Sequence, residues 1–251
     1  MNSTGCSSRA KAPNRTLTRQ LILSRDNRPF ACEIRLTSDG TLLPPAPSQL
    51  PAVAAVSCAP CHDGLRQPRR ERSSSQHSGS PFVKKYLNRT LIRLSEPSLS
   101  SFALTHELIQ SGRNLRDIGH SLVVSLSTQP VWEVGSKCKK NIVSNMYSLK
   151  DHGIEIALDG VNIQDEAMTG FNTLNLFNYI KLSVSSLDQC LKLNGDPEFL
   201  NRLHDRMVTL SHNHKISFIA DRVEHIESHS LARALPFDYF QGSHYSPADR
   251  F

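Results

Sequence analysis

From residue 121 to residue 240, short apolar runs alternate with longer amphipathic ones. No other feature narrows the fold as far. Residues 121–126 (SLVVSL), 131–134, 154–158, 179–182, 215–220 and 239–240 read as strands. Residues 141–152, a segment around 166–174, 197–212 and 226–235 read as helices. Gly153 closes the first of these, and Pro197 sits in the first turn of the third. Strands that are apolar almost throughout are covered on both faces, so the alternation argues for a parallel sheet flanked by helices.

The N-terminal third reads differently. Residues 1–18 are a polar, disordered lead. Residues 19–24 (RQLILS) and 29–36 (PFACEIRL) form a hairpin about a turn at 25–28. From 45 to 81 the composition shifts to Pro, Ser, Ala and Arg, which marks a low-complexity insertion or linker too long for an ordinary loop. Helical patterns follow at 82–94 and 101–111. Roughly eight strands over this length favour closure into a barrel over an open sheet. The expected architecture is α/β, a TIM-like (β/α)8 barrel over residues 19–251, partly eroded.

Charge separates the same regions. Residues 1–80 hold 11 Lys and Arg against 5 Asp and Glu, and residues 81–251 hold 18 against 18. The basic surplus includes Arg66, Arg69, Arg70 and Arg72, a run that keeps a flexible segment solvated more often than it binds phosphate. Phe30 is the one aromatic residue in 1–81, and no nucleic-acid-binding motif accompanies the basic run, so direct nucleic-acid binding is not expected. No stretch approaches about 20 apolar residues, which excludes a membrane helix. Residues 1–20 lack the apolar run of a signal peptide, so a cytoplasmic location and six reduced cysteines are expected. Cys58, Cys61 and His62 match the short C-x-x-C-H haem pattern, but within a loop-like segment they read as plain thiols before zinc, redox or haem. His225 and His229 share a helix face and read as solvated, while His212 and His214 favour a helix C-terminus.

In such barrels the chemistry gathers at the C-terminal ends of the strands. The residues there are Glu33, Ser125, Glu133, Asp159 with Gly160, Lys181, Asp221 with Glu224, and Gln241. Carboxylates in a ring hold divalent metals, and a lysine beside them neutralises charge on a phosphate.

These runs resemble a known family. Ile154-Glu155-Ile156-Ala157-Leu158-Asp159, Tyr179-Ile180-Lys181, Ile219-Ala220-Asp221-Arg222-Val223-Glu224 and Phe240-Gln241-Gly242 with Pro247 are similar, in order and spacing, to the EAL domain family. Glu33-Ile34-Arg35 stands where that family has its Glu-Ala-Leu, and residues 40–44 resemble its Gly-x-x-x-Pro. The resemblance implies a TIM-like barrel and cyclic diguanylate phosphodiesterase ancestry. By that resemblance Glu33, Glu133 and Asp159 are vestigial metal ligands, and Lys181, Glu224 and Gln241 are vestigial catalytic residues. Glu33, Arg35, Asp159, Lys181 and Gln241 are the nucleotide-binding set.

Departures from the family pattern stand beside these matches. Ser125 is taken to replace the metal-binding asparagine of Val-Asn-Leu-Ser, Gly160 the second acid of an Asp-Asp pair, and Val161 to Gln164 the Phe-Gly-Thr-Gly loop. Asp221 shortens a glutamate, and Ser136 replaces the last acid of Glu-x-Thr-Glu. Only Thr128, Gln129 and Pro130 separate Ser127 from Val131, where the family has a helix of about two dozen residues, so a helix is expected to be missing. The combined losses imply a non-catalytic regulatory protein. It would bind cyclic diguanylate or a regulatory protein partner and modulate or repress virulence or motility genes. An active enzyme with Asp165 or Glu166 completing the site is the alternative, and only that alternative calls for Mg or Mn; a nucleic-acid binder through the basic third comes last.

Overall fold

The computed structural model describes residues 15–38, 41–42, 88–127, 136–160, 175–194 and 198–250. β1 (Arg15–Ser24) and β2 (Pro29–Ser38) form an antiparallel hairpin, and β3 (Thr41–Leu42) pairs with the end of β2. β4 (Arg89–Ser95), a 3-10 turn at Glu96–Ser100, α1 (Phe102–Asp117) and β5 (Ser121–Ser127) follow. After α2 (Ser136–Asp151) and β6 (Glu155–Asp159) come β7 (Tyr179–Ser183), α3 (Val184–Asn194) and α4 (Phe199–His214). β8 (Ser217–Asp221), α5 (Ile226–Ala234), β9 (Tyr239–Phe240) and β10 (Asp249–Arg250) complete the described chain.

Eight strands close a ring in the order β1-β9-β8-β7-β6-β5-β4-β2, returning to β1. β1 runs antiparallel to both neighbours, and every other pairing in the ring is parallel. Strand alternation sorts the side chains into two cores. Ile34, Ile92, Leu94, Val124, Leu126, Ile156, Leu158, Ile180 and Phe218 point out beneath the helices, where Leu108, Leu115, Met146, Leu149 and Met207 meet them. Ile22, Ala31, Leu91, Val123, Ala157 and Ile219 point inward and fill the lower lumen. At the strand starts Phe30 stacks on Tyr239 at 3.6 Å between ring centroids, and Tyr179 approaches both edge-on. Arg89 lies 5.0 Å over the Phe30 ring and pairs with Glu155, to which the Tyr179 hydroxyl donates at 3.1 Å. The lower lumen is thus apolar, with the Arg89–Glu155 pair and the Tyr179 hydroxyl at its base.

Several expectations change. Residues 89–94 form a strand, not the end of a helix. Thr90, Leu91, Ile92 and Leu94 are buried against both cores, so the run lacks the alternation that marks a half-exposed strand. β1 takes Arg15 to Thr18 out of the lead. α1 continues past residue 111 to Asp117, and α3 is an element the sequence did not announce. Its Val184 is buried, and Leu187, Cys190 and Leu191 pack against the outer core. The helix near 197–212 starts at Phe199, and Pro197 lies outside the described residues. So do the expected strand at 131–134, the helix at 166–174, the 45–81 insertion and the C-x-x-C-H pattern. β5 pairs directly with β6 through Val123↔Glu155 to Ser127↔Asp159. Cys32, Cys138 and Cys190 form no disulfide among the described residues, and no described helix is long and apolar enough to cross a membrane.

Candidate functional site: a charge-balanced barrel mouth

Above the apolar floor, the inward positions of the strands turn polar. Glu33 and Arg35 come from β2, Arg93 from β4, Ser125 from β5, Asp159 from β6, Lys181 from β7 and Asp221 from β8. Gln241 follows β9, and Gln20 enters from β1. Side chains two apart on a strand share a face, so each of these stands one step above a lumen-filling residue such as Leu91, Val123, Ala157 or Ile219.

Glu33 is the hub and is fully buried. Its Oε1 accepts from Lys181 Nζ at 2.5 Å, and its Oε2 accepts from Arg35 Nε and Gln241 Nε2, each at 2.7 Å. Arg35 Nη2 also reaches Asp221 Oδ1 at 3.5 Å. Asp159 Oδ2 lies 3.0 Å from Arg93 Nε and 3.8 Å from Lys181 Nζ. Three carboxylates thus meet one lysine and two arginines, and the cluster is formally neutral. Burial works to raise the Glu33 carboxyl, but Arg35, Lys181 and Arg93 outweigh it and hold that carboxyl well below the usual range. For Asp159 burial prevails over Lys181 and Arg93, and the carboxyl is pushed up. The Glu33 charge drives the Arg35 guanidinium further up, against the cost of burial.

The segment after β8 and β9 is pinned by one glycine. Gly242 has φ +156, and a Cβ there would lie 2.0 Å from the Val223 carbonyl oxygen. That clearance lets Val223 N–H donate to the Gln241 carbonyl at 3.0 Å, which fixes the end of the strand carrying Gln241. Gly160, directly after Asp159, also holds a left-handed φ of 76.

Of the residues singled out in the sequence, Glu33, Arg35, Asp159, Lys181, Asp221 and Gln241 converge on this cluster. Glu224 does not. It is exposed on the turn before α5, where its N–H donates to Ser228 Oγ at 3.1 Å. Glu133, Asp165 and Glu166 lie outside the described residues. His225 caps α5, while His229 lies against the Tyr245 hydroxyl at 2.7 Å. Arg93 escaped the sequence reading because its strand was taken for a helix; its place before Leu94-Ser95 was the available signal.

The EAL domain sequence profile matches residues 78–248. The chain belongs to the EAL domain family. A search of curated protein sequences found no match. Among solved structures, the EAL domain of Mycobacterium smegmatis DcpA is similar, with a TM-score of 0.64 at 12% identity over 94% of this chain and 93% of that one. YkuI of Bacillus subtilis, solved with its substrate cyclic diguanylate and calcium, gives 0.61 at 12% over 94% of this chain and 56% of YkuI. The EAL enzyme Bd1971, with cAMP and cyclic diguanylate bound, gives 0.60 at 15% over 93% of this chain. This chain spans 62% of the length of Bd1971.

Family membership and ring order together correct the motif assignment. Taken in the order the resemblance gives them, with one helix between the second and the third, the Glu-Ala-Leu, Val-Asn-Leu-Ser, Glu-x-Thr-Glu and Asp-Asp motifs fall on β2, β4, β5 and β6. Val-Asn-Leu-Ser therefore falls on Ile92-Arg93-Leu94-Ser95, and Ser125-Leu126-Ser127 falls on the start of Glu-x-Thr-Glu. The helix between those two motifs is α1. So Arg93, not Ser125, stands at the asparagine, while Ser125 stands at a glutamate and Arg35 at the leucine of the name motif. The donor set in this EAL domain does not suit the paired metal ions of a hydrolytic site. Among the described residues, no group of three or more His, Cys, Asp or Glu side chains is placed to hold a metal. Arginine and lysine already occupy the carboxylate oxygens that would face one.

Proposed function

We propose that this EAL domain is a non-hydrolytic regulatory protein that works by binding cyclic diguanylate and passing its occupancy to a protein partner. The observation that carries this reading is the pairing of Glu33, Asp159 and Asp221 with Lys181, Arg35 and Arg93. Hydrolysis by paired metals needs carboxylates free to clamp two ions. A guanidinium with its Nε at 3.0 Å occupies Asp159, and Gly160 supplies no second acid beside it. Metals would also have to displace these cations from the carboxylates, at a cost of about 3–5 kcal/mol for each buried pair broken. The vestigial roles of Lys181 and Gln241 follow from the same contacts, since both now serve to hold Glu33. Glu224 has left the set for a turn. Modulation or repression of virulence or motility genes is the output assigned to the complex with the partner.

Incubation with cyclic diguanylate and Mn or Mg, beside a hydrolysing EAL domain, tests the reading. Chromatography should recover the nucleotide intact from this protein and linear from the control. Linear product released by this protein would make it an enzyme.

A further inference from the structure

The two arginines of the mouth differ from its lysine in what they leave accessible. Lys181 is sealed, whereas the side chains of Arg35 and Arg93 retain 24% and 14% of their exposure. β2 and β4 pair in parallel up to Ile34↔Ile92, and Arg35 and Arg93 are the next residue of each strand. Both guanidiniums reach the same carboxylate cluster, Arg35 at Glu33 and Asp221 and Arg93 at Asp159. Their ion pairs engage Nε and Nη2 of Arg35 and Nε of Arg93. A guanidinium carries five N–H donors, so among the described residues the terminal amino groups of Arg93 keep donors for a ligand.

A second observation points to a ligand at the same place. Ser125 is fully buried and pairs in register with Arg93, and its Oγ has no hydrogen-bond partner among the described residues. Gln241 is fully buried too, and its Oε1 is likewise without a partner among them. Buried hydroxyls are rarely left in this state, so Ser125 has a hydrogen bond to make that the described residues do not supply. Paired guanidinium forks with a neighbouring hydroxyl donor suit the two non-bridging oxygens of a phosphodiester.

We propose that Arg35 and Arg93 serve as built-in replacements for the metal ions. A phosphodiester of a cyclic dinucleotide then binds in this mouth without any divalent cation, with Ser125 as a further donor. The proposal rests on the reading of this protein as a nucleotide receptor, and one titration separates the two. Cyclic diguanylate is titrated calorimetrically into the full chain, once in EDTA and once in Mn. The expected result is the same affinity in both, within about twofold. In EDTA, Arg93→Gln should weaken binding by about 10- to 100-fold, and Arg93→Lys by less, since it keeps the charge and loses the fork. Thermal melts of both variants report whether they are folded. Binding that requires Mn would overturn the arginine proposal and leave the receptor reading standing. Unchanged affinity in folded Arg93→Gln and Arg35→Gln variants would also overturn it, by placing the phosphate elsewhere. Absence of binding in both buffers would overturn the receptor reading and the proposal together.

Discussion

Glu33 shows how a single residue can keep its place while its task changes. It remains buried in the middle of β2, but it now binds Lys181, Arg35 and Gln241. Removing its charge would leave three cations with two carboxylates in a buried site. Breaking a buried ion pair by deleting one partner costs about 3–5 kcal/mol, and Glu33→Gln is expected to destabilise by that order in urea melts near neutral pH. The pH dependence has a definite sign. The folded Glu33 carboxyl titrates below its ordinary value of 4.5, so its contribution is fully present above about pH 4.5 and is lost as pH falls through the folded value. Asp159 acts oppositely, because its folded carboxyl is raised and its ionisation weighs against the fold as pH rises. The wild type should therefore show a steeper loss of stability below pH 4.5 than Glu33→Gln, as measured by melts at stepped pH. Parallel acid limbs would show that Glu33 is not held as described. Glu33, Asp159, Lys181 and Gln241 were legible from the chain because each follows a short apolar run of the right length. Arg93 was not, because its strand is buried on both faces and carries no period to betray it.

At the scale of elements, α1 is the helix whose position settles the motif order, and its start is built on one side chain. Ser101 Oγ accepts from Leu104 N–H at 3.3 Å, and the Ser101 carbonyl accepts from Thr105. Ser101→Ala should cost about 1 kcal/mol, and Ser101→Asp should keep most of the stability, since both retain the backbone acceptor and only aspartate retains the cap. Denaturant midpoints of the two variants give the comparison directly. The β9 end depends instead on missing volume. Gly242→Ala would drive a methyl group into the Val223 backbone, where the nearest atom lies 2.0 Å from the new Cβ. A loss of about 3 kcal/mol, the upper end for overpacking, is expected, with a fall of several degrees in Tm. A variant melting with the wild type would mean that the β9 turn adopts another path. α3 was not read from the sequence because Val184-Ser185-Ser186 opens it without a strong helix former. Its spacing of Val184, Leu187 and Leu191 was nonetheless a helical stripe.

For the whole molecule, the neutral mouth makes one further prediction. A hydrolytic metal site would stabilise the fold on binding its ions, by mass action on the native state. Here Mn, Mg and EDTA should leave Tm unchanged to within about 1 °C in the absence of nucleotide, because no cluster of three or more His, Cys, Asp or Glu among the described residues is placed to hold an ion. A rise with Mn would reveal a metal site that the ion pairs do not suppress. The alternation of apolar strands and amphipathic helices from 121 to 240 is local information, carried by side-chain periodicity, and it determined the α/β class and the barrel. The acids, lysine and amide at the strand ends were local too. Which strand neighbours which is not local: the pairing of β5 with β6 moved the asparagine position from Ser125 to Arg93 and returned the helix taken to be lost. Charge balance is a sum over residues from 33 to 241, and it exists only once the ring closes and brings them within 4 Å. A chain read in one dimension displays the acids and the arginines separately. Closure of the barrel decided that they neutralise one another.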